Sequence, residues 1–237
     1  MKGGAKLSEF EMKQPNAETS PLFQARIGGA CWLLTILAGM FGMYVWNSLV
    51  VSGDASQTAT NILSKEAFFR AGTAATLISI GCYIGATLFT YELLKPVNRP
   101  VSRLAAFFSL VGCAVLAVSS LFELTPFVLL RGDHYLSVFT PEQLQAFLFM
   151  FLRLGRQTYS IGMIFFGMHI LLVGYLILKS NFLPRIIGAL LMFGGLCYLT
   201  FLAPPLAGSM SPYIVAPGGL GEIMLALWLL VKGVNKK

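Results

Sequence analysis

Six stretches of this chain stay apolar for about a bilayer's width, at 27–51, 67–94, 104–130, 158–178, 186–206 and 214–231. A helix rises 1.5 Å per residue, so about 20 such residues cross ~30 Å of hydrocarbon. Lipid offers no partners to backbone N–H and C=O groups, which leaves the helix as the element for each run. The expected fold is all-α: a polytopic integral membrane protein of six transmembrane helices, with short helices on the outer face. Composition agrees, since 56% of residues are hydrophobic and 11% charged, against roughly 45–50% and ~25% in soluble domains. A soluble cytosolic enzyme is excluded.

Residues 1–25 read as a polar cytoplasmic tail without the features of a cleavable signal, and 26–237 as a single transmembrane domain. Twelve of the 17 Lys and Arg residues fall on one side, in the tail, the second-to-third and fourth-to-fifth connections and the C-terminus. The other five, Lys65, Arg70, Arg131, Arg153 and Arg156, fall opposite. Basic residues in short loops stay cytoplasmic, so both termini are expected there. The net charge of +7 is made of basic residues set singly beside apolar runs, which fits membrane orientation; no nucleic-acid partner is expected. Cys31, Cys82, Cys113 and Cys197 each lie in a different run, as small buried residues and not a disulfide framework.

The outer connections carry helix starts. Asp54 with Gln57 resembles a capping box and predicts a short surface helix over 54–66, and Thr140-Pro141-Glu142-Gln143 is a stronger start with Pro at the first helical position. An outer helical insertion is expected over about 131–157. A helix from Thr140 to Leu178 would far exceed one crossing, so it either projects outward or breaks near Gly155 and leaves 144–154 interfacial or re-entrant. A weak repeat aligns 91–113 with 175–197 at six of 23 positions, including Tyr91/Tyr175, Lys95/Lys179, Pro100/Pro184 and Cys113/Cys197. It predicts two helix pairs of the same sense, and Trp228 to Lys232 resembles the start of a third copy. Gly81-x-x-x-Gly85 and Gly194-Gly195 are read as close helix packing.

Ionisable residues inside spans are costly and are candidates for function. His169 lies near the midplane of the fourth span, either bonded to a neighbouring helix or handling a proton or ligand. Glu222 lies inside the sixth span and is expected to pair with Arg70, Arg153 or Arg156, or else to bind a ligand; Glu123 could join the same cluster. Arg153 and Arg156 share a helix face, whereas His169 is about 140° away on a straight helix. The chain has two His, and His134 lies in an outer loop, so neither a metal site nor a cofactor is expected.

Arg26-Ile-Gly-Gly-Ala, Glu66-Ala-Phe-Phe-Arg70-Ala-Gly, Lys95-Pro-Val-Asn-Arg99, Thr140-Pro-Glu-Gln-Leu-Gln145, Phe165 to Pro184 and Gly221-Glu222 through Asn235 resemble bacterial membrane proteins catalogued as domain of unknown function 4386. The most specific stretch is Phe-Phe-Gly-Met-His-Ile-Leu-Leu-Val-Gly-Tyr followed by Lys-Ser-Asn-Phe-Leu-Pro-Arg, in which His169 matches the family's His. The family pattern has an acidic residue in the second span and a His-Gly pair before the fourth; here Ala75, Thr76, Arg156 and Gln157 stand in those neighbourhoods. The resemblance implies a six-span protein of the bacterial cytoplasmic (inner) membrane and names no activity.

No catalytic motif is present, which favours a binding protein over an enzyme. The leading reading is an outer-half polar pocket, formed by Arg70, Glu123, Arg153, Arg156 and Glu222 beside an uncharged Pro-rich lid at 203–219, that binds a small amphipathic or lipid-like ligand. The rivals are an intramembrane enzyme acting on a lipid with His169 as acid or base, and a regulatory partner of another membrane protein. Membrane lipids are expected contacts, together with a second copy or another membrane protein.

Overall fold

A computed structural model describes residues 21–130, 134–203 and 219–234. The helices run α1 (Pro21–Leu49), α2 (Ala55–Ser64), α3 (Glu66–Leu94), α4 (Arg99–Phe122), α5 (Thr125–Leu129), α6 (Pro141–Lys179), α7 (Arg185–Leu199) and α8 (Gly219–Val231). Among the described residues five helical stretches, containing α1, α3, α4, α6 and α7, are long and apolar enough to cross a membrane, and α8 is a shorter apolar helix. The first five expected spans coincide with these; the sixth begins in residues outside the described ones. Their outward faces carry large apolar side chains such as Leu34, Leu37, Ile78, Leu88 and Phe107, as a lipid solvent requires.

The chain returns at each turn. Leu22 at the start of α1 packs on Gly233 just after α8, so the two described chain ends lie at the same end of the bundle, here called inner. The α3–α4 and α6–α7 turns are at that end too. At each of three inner helix ends a lysine folds back over an aromatic ring four residues earlier: Lys95 over Tyr91 at 5.8 Å, Lys179 over Tyr175 at 5.8 Å and Lys232 over Trp228 at 4.4 Å. The α3–α4 and α6–α7 hairpins are thus the two same-sense copies of the repeat, and α8 ends as the third begins. Amphipathic rings beside lysines are what a membrane boundary selects.

α1 packs on α3, while α6 packs on both α4 and α7. The α6–α7 contact rests on two glycine pairs. A Cβ added at Gly174 would stand 2.7 Å from the Gly188 carbonyl oxygen, and one at Gly195 would stand 2.8 Å from that of Gly167. Backbones this close exclude any side chain. The Gly81-x-x-x-Gly85 expectation holds only in part: Gly85 sits against the Cys31 thiol, whereas a Cβ at Gly81 would meet nothing within 4 Å. Gly81 is turned outward and makes no helix contact.

Asn98 caps α4 by accepting from the Val101 N–H, and Pro100 opens its first turn. α2 is the expected surface helix. Asp54 accepts from the Gln57 N–H at 2.8 Å, but the Gln57 side chain reaches forward to Asn61 instead of closing a capping box. At α6 both halves of the box form between Thr140 and Gln143. From there α6 runs 39 residues without a break, about 58 Å at 1.5 Å per residue, and so it projects beyond the bilayer. Its projecting turns bury Leu148 and Leu152 in a small core with Val45, Leu49, Ala59, Ile62 and Phe69. A separate, larger core lies inward, around Trp32, Phe166, Ile170, Val173, Leu191 and Leu225.

Candidate functional site

Between these cores α1, α3, α4, α6, α7 and α8 leave a cavity of about 280 Å³ in the outer half. Each long helix lines it with one stripe at helical spacing: Thr35, Gly39 and Met43 on α1; Thr76, Ser79 and Tyr83 on α3; Ser119 and Phe122 on α4; Arg156, Tyr159, Met163 and Phe166 on α6. Glu123 follows α4, Tyr198 ends α7, and Gly219 and Glu222 begin α8. The walls are fixed by hydroxyls that bridge helices. Thr35 donates to the Ser79 carbonyl at 3.3 Å, Ser79 returns a bond to the Thr35 carbonyl at 2.8 Å, and Ser119 donates to the Gly155 carbonyl at 2.8 Å.

Glu222 is 8% exposed, and its Oε1 accepts a hydrogen bond from the Tyr198 hydroxyl at 3.1 Å. The expected arginine pair is absent: the ion pairs among the described residues are Glu66–Arg70 and Glu92–Lys95. Arg70 is held by Glu66 one turn earlier, at 2.6 Å and 2.8 Å, with its guanidinium 3.9 Å from the Phe127 ring centre. A local i,i+4 carboxylate costs less chain ordering than a partner on α8, which explains the difference. Arg156 reaches the cavity but lies exposed against Tyr159, 5.4 Å from its ring centre. Arg153 is exposed and outside the lining. The cavity therefore brings together Glu123, Arg156 and Glu222, and leaves out Arg70, Arg153 and His169. The Pro-rich lid falls, from 204 to 218, outside the described residues.

His169 is 1% exposed and lies inward of the cavity floor. Its Nδ1 donates to the Ala105 carbonyl of α4 at 2.8 Å, and its ring stands beside Trp32 and Tyr83 at centroid distances of 6.4 and 5.8 Å. Tyr83 packs in turn on Phe166 at 4.5 Å. The buried side-chain polar atoms without a partner, among the described residues, are His169 Nε2 and the Tyr83 hydroxyl; of these two residues only Tyr83 lines the cavity. No three His, Cys, Asp or Glu side chains among the described residues group closely enough to hold a metal ion.

Tyr83, Tyr159 and Tyr198 did not stand out in the sequence. A signal was there: stepping by three or four along α6 from Arg156 gives Tyr159, Met163 and Phe166. No single span shows that these share a cavity with Glu222, because the placement of α8 beside α1 and α7 is tertiary.

Fold and cavity together define a multi-pass α-helical membrane protein with a mostly apolar cavity, bearing a few polar groups, in one half of its bundle. The chain belongs to the family described as Domain of unknown function (DUF4386), whose model matches residues 27–233. It is similar to an uncharacterized protein of Archaeoglobus fulgidus, 30% identical over 146 residues that cover 60% of this chain and 72% of the relative. No solved structure matches it.

Proposed function

We propose that this protein is a non-enzymatic binding protein of the bacterial cytoplasmic membrane, with both termini in the cytoplasm, that holds one small amphipathic or lipid-like ligand in the outer-half cavity. The observation that carries this reading is a mostly apolar space of about 280 Å³ into which a few polar groups converge, among them a buried Glu222 without a cation partner among the described residues. An apolar pocket with a few convergent polar groups is the usual form of a small-molecule site. His169 stands apart from that space, which favours binding over acid–base chemistry on a lipid. Apolar faces on α1, α3 and α4 supply the contacts with membrane lipids.

Among the described residues seven Lys and Arg lie toward the inner end and four toward the outer, and this excess supports the orientation. Native mass spectrometry after mild detergent extraction tests the binding role: a single bound small molecule is expected on the wild type. Its loss is expected when Met163→Trp fills the cavity. A wild-type chain that carries none, under conditions that retain annular lipid, contradicts the proposal.

A further inference from the structure

Most of the cavity's polar groups are left as acceptors. Thr35, Thr76, Ser79 and Ser119 each give their hydroxyl hydrogen to a backbone carbonyl, so only oxygen lone pairs remain for an occupant. To these the wall adds the carboxyl groups of Glu123 and Glu222, neither within ion-pair distance of a Lys or Arg among the described residues. The countercharge in the lining, Arg156, lies exposed at the rim. An independent observation points to an occupant: the Tyr83 hydroxyl belongs to a side chain 8% exposed, lines the cavity and has no partner. Buried polar atoms are rarely left this way.

We infer that the occupant is a small organic cation, an alkyl- or arylalkyl-ammonium, whose nitrogen sits between the Glu222 carboxylate and the Tyr83 oxygen and whose apolar part lies among Trp46, Phe122 and Phe166. This rests on the binding role proposed above and names the ligand class. An anion would share the cavity with two carboxyl groups and one exposed arginine, so its like charges outnumber its countercharge there. A neutral lipid could accept a hydrogen bond from Tyr83 but would leave Glu222 without a counter-ion. An ammonium satisfies both through its N–H donors, and aromatic faces stabilise it further by cation–π attraction. The volume suits a head group with a short chain or one ring.

The test uses the full chain in detergent at neutral pH with three probes sharing one tail: octylammonium chloride, octanol and sodium octanoate, titrated calorimetrically. The wild type is expected to bind octylammonium at least about tenfold more tightly than either other probe. Glu222→Gln is expected to abolish that preference while keeping the octanol affinity, and Tyr83→Phe to weaken octylammonium several-fold. Should Glu222→Gln not stay folded, Glu123→Gln, at a half-buried position, is expected to reduce the same preference. Octanol or octanoate binding as tightly as octylammonium overturns the cation assignment and leaves the binding role standing. No binding of any probe overturns both.

Discussion

Where α6 meets α7 toward the inner end, Gly174 and Gly188 bring two backbones into contact; a few turns outward α6 faces α1, α3 and α4 across open space. The two halves treat polar groups differently as well. The inner half pairs Trp32 with Thr90 at 3.1 Å, Thr87 with Ser109 at 2.5 Å and His169 with Ala105 at 2.8 Å. The outer half turns Glu123, Glu222 and the Tyr83 hydroxyl toward a cavity. Without a hydrophobic driving force between helices in lipid, close packing and interhelical hydrogen bonds must hold the bundle. One half is built for cohesion, which leaves the other free to enclose a ligand.

The largest effect is expected from breaking the inner contact. Gly174→Leu drives its side chain into the backbone of Gly188 and Met192, which cannot yield as the Met192 side chain could, a cost beyond the ~1–3 kcal/mol usual for overpacking, and should abolish a monodisperse peak in size-exclusion chromatography. Gly81→Leu, with nothing within 4 Å of its added Cβ, should leave the peak unchanged. Next comes His169→Ala, expected to cost ~1–3 kcal/mol by removing a buried hydrogen bond. His169→Gln should be milder and His169→Phe worse, read by thermal melting; equal melting of the three would contradict a bonded role.

How much of this was legible beforehand follows from where the information lies. The first five spans, the Asp54 and Thr140 helix starts and the paired hairpins depend on local composition and capping, and the sequence carries those directly. That His169 lies well inside an apolar helix followed from counting along one span, and the structure buries it. The Glu222–arginine pair failed because charge matching ignored the nearer partner: Glu66 precedes Arg70 by one turn on the same helix. The continuity of α6 past Gly155 was not legible, since a glycine permits a break without requiring one. Here Gly155 lets Phe122 and the Ser119 carbonyl approach, with a Cβ there placed 2.8 and 3.4 Å from them.

Smaller effects sharpen the outer half. A double-mutant cycle between Glu222→Gln and Tyr198→Phe should give a coupling of about 1 kcal/mol, whereas Glu222→Gln with Arg70→Gln should be additive, because Arg70 is bound to Glu66. The reverse pattern would restore the arginine pair. Ser119→Ala removes one interhelical bond and should cost about 0.6 kcal/mol, the average for such bonds within a membrane, again read by melting.

The contrast between an open outer half and a closed inner half is tested most directly by thiol accessibility in membranes. With the four native cysteines replaced, Met163→Cys places a thiol on the cavity wall and Val173→Cys places one in the inner core, where Val173 is 1% exposed. Both are treated with methanethiosulfonate ethylammonium and the modified chain is measured by mass spectrometry. Modification at 163 and none at 173 is the predicted result. Equal modification of the two positions, or none at either, would contradict it.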